Sequence, residues 1–163
     1  MYSIRKGVFE TNSSSVHSLA IAKSGLEPPH LKVGRRIGSK GKGKYIIVEL
    51  GEFEKDPVDY FSQDEKLSYL ATLSYLTDGG ENLEELYDSY NFQGFEEIII
   101  DYVNEYDKDV LGIWIDPATI DIAHIDHQTI NEYNGISDFP YAMNVDFIDF
   151  VFNKNIGLHT DCD

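Results

Sequence analysis

Tyr45-Ile46-Ile47-Val48-Glu49-Leu50 and, after a short polar interval, Ser62-Gln63-Asp64-Glu65-Lys66-Leu67 set the fold class between them. The first stretch is β-branched and aromatic, the composition that fits a half-buried pleated surface. In the second, Ser62 followed by Glu65 matches a capping box. Leu67, Leu70 and Leu73, with Ala71 and Leu76 beside them, then recur at three- and four-residue spacing. That spacing predicts a helix over 63–76, closed by Asp78-Gly79-Gly80.

Working outward, the helical character continues through Leu83–Tyr90 and Phe95–Tyr106, where Ile98-Ile99-Ile100 brings competing β-propensity. Toward the N-terminus, Tyr2–Arg5, Val16–Ala22 and Val33–Ile37 read as strands. Residues 33–50 together suggest a hairpin with a long glycine-rich basic loop, Gly38 to Lys44. Toward the C-terminus, Gly112–Asp116 and Ile120–Asp126 read as strands, 131–138 as loop and Val145–Phe152 as a helix. The tail from Ile156 is expected to fray or to add a last edge strand. Strands therefore flank a helical middle, which is the pattern of a single α+β domain over residues 1–163.

Charge divides the 163 residues unevenly. Residues 1–44 hold nine Lys and Arg against two acids, a balance of +7, whereas 45–163 hold four bases against 27 acids, a balance of −23. The whole chain carries −16. One reading pairs the N-terminal bases with acids elsewhere, although each surface pair contributes only about 0–1 kcal/mol. The other is a small basic site on an acidic body that attracts a basic protein surface and speeds its association. Direct nucleic-acid binding is expected only through the basic loop at 32–44. A single cysteine, Cys162, excludes an intrachain disulfide framework. No apolar run is long enough to span a membrane, and no signal core opens the chain, so a cytoplasmic protein is expected. The sequence sets no subunit number and is compatible with a homo-oligomer.

The densest polar segment is Phe9-Glu10-Thr11-Asn12-Ser13-Ser14-Ser15-Val16-His17-Ser18. A serine nucleophile needs a base to take its proton, and His17 with Ser13 or Ser15 supplies the residue types. Residues two apart on a strand are separated by about 6–7 Å, so Ser15 does not reach His17 directly. There is no G-x-S-x-G elbow. A second reading is anion binding: Arg5, Thr11, Asn12 and Ser14, joined by Arg35, Arg36 and Lys40 if the hairpin folds over, suit a phosphate. No Walker A pattern is present. A third is a turn whose backbone these side chains satisfy.

The string Arg5-x-Gly7-x-Phe9-Glu10-Thr11-Asn12-Ser13-Ser14-Ser15-x-His17-Ser18 resembles the opening of many small, mostly uncharacterised proteins of bacteria and their phages. The resemblance covers residues 5–18 and implies a phage or mobile-element origin; it carries no activity. Such an origin makes an inhibitor or accessory factor the leading expectation, with acids arranged to occupy a basic channel of a host protein. The candidates are Glu81, Glu84, Glu85 and Asp88 on one helix and Asp101, Glu105 and Asp109 along the next, because three- and four-residue spacings form stripes. The alternative is a small enzyme or nucleotide-binding protein built on residues 5–18. His124 and His127 would face opposite sides of a strand, so no metal site is expected, and no cofactor is implied.

Overall fold

In a computed structural model, α1 (Gln63–Asp78) starts where its sequence signal lies. The Ser62 hydroxyl accepts from the Glu65 N–H and the Glu65 carboxylate accepts from the Ser62 N–H, both at 3.2 Å. The described residues are 4–7, 15–21, 25–53, 58–126 and 133–162; the strands at 4–7 and 15–21 are described as backbone. After α2 (Leu83–Asp88), α3 (Tyr90–Asn104) begins five residues earlier than the periodicity alone predicts. Ser89 is the reason: its hydroxyl caps the Phe92 N–H. The isoleucine triplet stays helical because Phe92, Phe95, Ile99 and Val103 form one buried stripe, and burial outweighs local β-propensity.

β3 (Val33–Gly38) and β4 (Gly41–Val48) form the predicted hairpin, but its turn is only Ser39-Lys40. The glycine–lysine run expected as a loop is strand from Gly41 on. The tip is held by Tyr45, whose hydroxyl donates to the Gly41 carbonyl (2.7 Å) and accepts from the Lys40 N–H (3.1 Å). β4 pairs in parallel with β7 (Val110–Ile115), giving the order β3-β4-β7 with the three helices on the crossover. The outer edge of β7 is covered by side chains. Asn104 bonds both backbone groups of Val110, Glu96 accepts from the Ile113 N–H (2.7 Å), and the Tyr87 hydroxyl accepts from the Ile115 N–H (2.9 Å). A covered edge offers no template to another chain.

A second, antiparallel sheet has the order β1-β2-β9-β6, built from β1 (Ile4–Gly7), β2 (Ser15–Ile21), β6 (Val58–Tyr60) and β9 (Gly157–Cys162). The tail therefore neither frays nor makes an edge: it is an interior strand between β2 and β6. The expected strand over Ile120–Asp126 is also corrected. Asp116 caps the Ala118 N–H and Pro117 follows, so a 3-10 helix runs over Pro117–Ile122. His124–Ile125 alone forms β8, paired in parallel with β5 (Glu52–Phe53). The expected loop before residue 138 ends in a 3-10 turn, followed by α4 (Phe139–Met143) and α5 (Phe147–Phe152).

The chain is thus a single α+β domain with strands flanking a central helical section. Its core joins β4 and β7 to the helices through Ile46, Ile113, Leu70, Phe95 and Phe150, all essentially buried, with ring contacts such as Phe95–Phe147 at 4.9 Å. Each such side chain contributes on the order of 1.5–3 kcal/mol. Among the described residues one cation is buried. The Lys66 ammonium donates to the carbonyls of Asn153 (2.9 Å) and Ile156 (3.0 Å), tying α1 to the segment that leads into β9. Burial pushes its pKa down from 10.5 to about 8. Among the described residues no helix is long and apolar enough to cross a membrane.

Candidate functional site: an acidic double groove

Two adjoining grooves, each of about 470 Å³, lie between the hairpin tip and α2–α3, and they share Ser39, Tyr87 and Asp88. The first is walled by Leu83, Glu84, Trp114 and Pro117. The second is walled by Lys40, Gln93, Glu96, Glu97 and Asp101. Helical spacing does the gathering: Glu84 and Asp88 are four apart on α2, and Glu97 and Asp101 four apart on α3. Tyr87 stands between the grooves with its hydroxyl fixed on β7. Burial raises its pKa, so the ring is not an anion in the working range.

The chain places cations of its own here. Lys40 reaches from the hairpin tip to Glu96 at 2.7 Å; Lys40 is half-exposed and Glu96 only 2 % exposed. The other Glu96 oxygen holds Ile113, so this carboxylate is fixed between backbone and ammonium. Gly112 permits the approach, because a Cβ there would stand 2.3 Å from that oxygen. Arg36 lies 4.9 Å over the Trp114 ring, a cation–π contact.

Of the seven acids predicted as stripes, the structure brings Glu84, Asp88 and Asp101 to the grooves. Glu85 serves its own helix start, accepting from the Glu81 N–H and from the Asn82 side chain, both at 3.2 Å. Glu81, Glu105 and Asp109 are exposed but line neither groove. Glu97 was missed, although its spacing of four from Asp101 was available in the sequence.

The N-terminal candidates are placed in part. Ser13, Ser14, Thr11 and Asn12 lie outside the described residues. In register, Arg5 stands opposite Ala20, Ser15 opposite Cys162, and His17 opposite Thr160. Arg35 and Arg36 are neighbours on β3 and so take opposite faces. Arg36 is engaged with Trp114 and Lys40 with Glu96, so these three bases form no joint anion pocket.

Sequence reasoning also missed a pair in the second sheet. His159 Nδ1 and Asp59 Oδ1 lie 2.6 Å apart across β9 and β6, a hundred residues apart in sequence, with no local signal to join them. A further cavity of about 450 Å³ opens beyond the carboxyl end of β4, with an apolar floor at Ile47, Val48 and Phe53 and an acidic rim at Glu49, Glu52 and Asp64. Among the described residues no group of three or more His, Cys, Asp or Glu is placed to hold a metal ion.

No protein-family model, no curated protein and no solved structure matches this chain.

Proposed function

We propose that this protein is an acidic interaction protein that docks a basic protein surface on the α2–α3 face, acting as an inhibitor or accessory factor of phage or mobile-element origin in the bacterial cytoplasm. The observation that carries the reading is the convergence of Glu84, Asp88, Glu97 and Asp101 on two grooves, where Lys40 is the one cation among the described lining residues. Like charges four apart on a helix destabilise it by about 0.2–0.5 kcal/mol per pair, so helix stability does not account for Glu97 with Asp101. A basic partner does. The acids steer it to the face and fix its register. The apolar walls at Leu83, Trp114 and Pro117 take the aliphatic stem of an arginine or lysine while its head stays with the carboxylates. Lys40 on Glu96 and Arg36 on Trp114 are intramolecular examples of the contacts a partner would make.

The test is a titration of the whole protein with a fluorescent arginine-rich peptide and with the same peptide carrying glutamate for arginine. Binding of the first alone, weakening steeply as salt rises, supports the reading, because exposed charge attraction is screened. Binding of neither peptide, or binding indifferent to salt, contradicts it.

A further inference from the structure

The cavity of about 450 Å³ beyond the carboxyl end of β4 lies between the β4–β5 link and the first half of α1. Its size suits a small molecule, and the carboxyl ends of parallel strands are where open sheets hold their ligands. Hydroxyls of α1 fix the wall opposite the helix. Ser68 donates to the Glu49 carbonyl at 2.6 Å, and Thr72, four residues on, accepts from the Gly51 N–H at 3.0 Å. The His124 N–H donates to the Gly51 carbonyl, also at 3.0 Å. The link is thereby held to α1 and β8 by polar contacts at defined distances.

Floor and rim differ in chemistry. On the floor, Ile47, Val48 and Phe53 are at most 8 % exposed, and the half-buried Tyr60 ring stands beside Phe53 with centroids 5.3 Å apart at 67°. Phe53 is backed by fully buried Tyr69, edge to face at 5.2 Å, so the floor is anchored in the core. Gly51 lets the Phe53 ring lie against the chain, because a Cβ there would stand 2.9 Å from it. The rim carries Glu49, Glu52, Asp64 and Glu65, and Lys32 is the one cation among the described lining residues. Two of these acids have work in the fold: Asp64 accepts from the Lys32 N–H at 3.3 Å, and Glu65 closes the capping box. Glu49 and Glu52 are exposed and lie outside any helix.

From this pairing of floor and rim we infer that the cavity binds a small organic ammonium ion with an aromatic body. The body displaces water from Ile47, Val48 and Phe53 and packs against the Tyr60 ring. The ammonium stays at the rim, partly hydrated, with Glu49 and Glu52. An anion with the same body meets the carboxylates and is repelled. An ammonium without the body gains little, because exposed charge pairs are weak by themselves. Selection therefore needs both parts of the ligand: the floor takes the ring and the rim reads the sign of the charge.

The experiment titrates the whole isotope-labelled chain with phenethylamine and follows the backbone amide shifts by NMR. Phenylpropionate, which reverses the charge, and ethylamine, which lacks the ring, are the comparison probes. Phenethylamine is expected to move the amides of residues 47–53 and 64–68 along one saturating curve, and neither comparison probe should do so at the same concentrations. Glu49→Gln with Glu52→Gln should weaken binding by on the order of tenfold, the upper range for two exposed pairs. Ser68→Leu, which places an apolar side chain at the cavity wall, should abolish it. Thermal melts of both variants report folding, and should Ser68→Leu melt early, the carboxylate variant and the three probes decide. Shifts that ethylamine reproduces, equal binding of phenylpropionate, shifts spread over α2 and α3, or no saturation by phenethylamine would each overturn the proposal. The acidic grooves are lined by other residues, so docking of a basic partner there stands or falls separately.

Discussion

On the α2–α3 face, Glu84, Asp88, Glu97 and Asp101 are exposed around two grooves, held apart only by helix geometry. On the outer face of the four-stranded sheet, Asp59 is bonded to His159 in a row fixed by strand register. The first arrangement makes a field and the second makes a directed contact. A field acts at a distance, is screened by salt and tolerates the loss of one charge. A directed contact has no range and fails when a single atom is removed. The docking proposed above needs the first kind of arrangement, whereas the second ties β6 to β9.

The sharpest way to break the helical side of this comparison is Glu96→Ala. Glu96 is the one acid of the grooves that is directed and not merely exposed, since it holds both the Ile113 N–H and Lys40. Its loss leaves a buried β7 N–H unsatisfied, and denaturant unfolding should register a destabilisation of about 1–3 kcal/mol. A change near zero would mean that the hairpin tip and the β7 edge do not depend on this carboxylate. On the sheet side, Gly157→Ala forces Phe61 off the strand, with an expected cost of about 1 kcal/mol by the same method.

Helices α1 to α3 and the β3–β4 hairpin were legible because their signals are local: a Ser–x–x–Glu cap, leucines at helical spacing and a β-branched run. The acidic stripes were legible for the same reason. What escaped the sequence depended on distant partners. The 157–162 strand looks like a polar tail because half of its residues face outward, and only β2 and β6 on either side make it a strand. Asp59 and His159 are ordinary residues until register joins them. Ile120 and Ile122 alternate like a strand, but Pro117 and the Asp116 cap set a 3-10 turn first. At residues 5–18 the sequence drew attention to His17, while the backbone register sets Ser18 opposite His159 near the other end of the chain.

Lys66 sharpens the comparison by pH. Burial lowers its pKa to about 8, so between about 8 and the ordinary 10.5 the unfolded chain binds a proton that the folded chain has released. Its contribution to stability therefore rises with pH across that window and is least below pH 8. Buried Tyr69, pushed well above 10.0, acts in the opposite sense at higher pH, because the folded state resists its ionisation. Stability of the protein relative to Lys66→Met should grow from pH 8 to 10; a flat difference would mean that the ammonium is not desolvated. The smallest expected effect is Glu97→Gln, which removes the like-charge pair with Asp101 and should raise stability by about 0.2–0.5 kcal/mol. A loss of stability would show that these acids serve the fold after all.

The most direct test of the docking account compares two variants of equal net charge in titrations with the arginine-rich peptide. One carries Glu84→Gln, Asp88→Asn, Glu97→Gln and Asp101→Asn in the grooves. The other carries Glu49→Gln, Glu105→Gln, Asp109→Asn and Asp121→Asn, exposed acids that line neither groove. The account predicts that the groove variant loses at least tenfold in affinity while the second stays close to the unmodified protein. Equal losses in both would mean that the peptide reads only the net charge of the body, and the grooves would then not be the docking site.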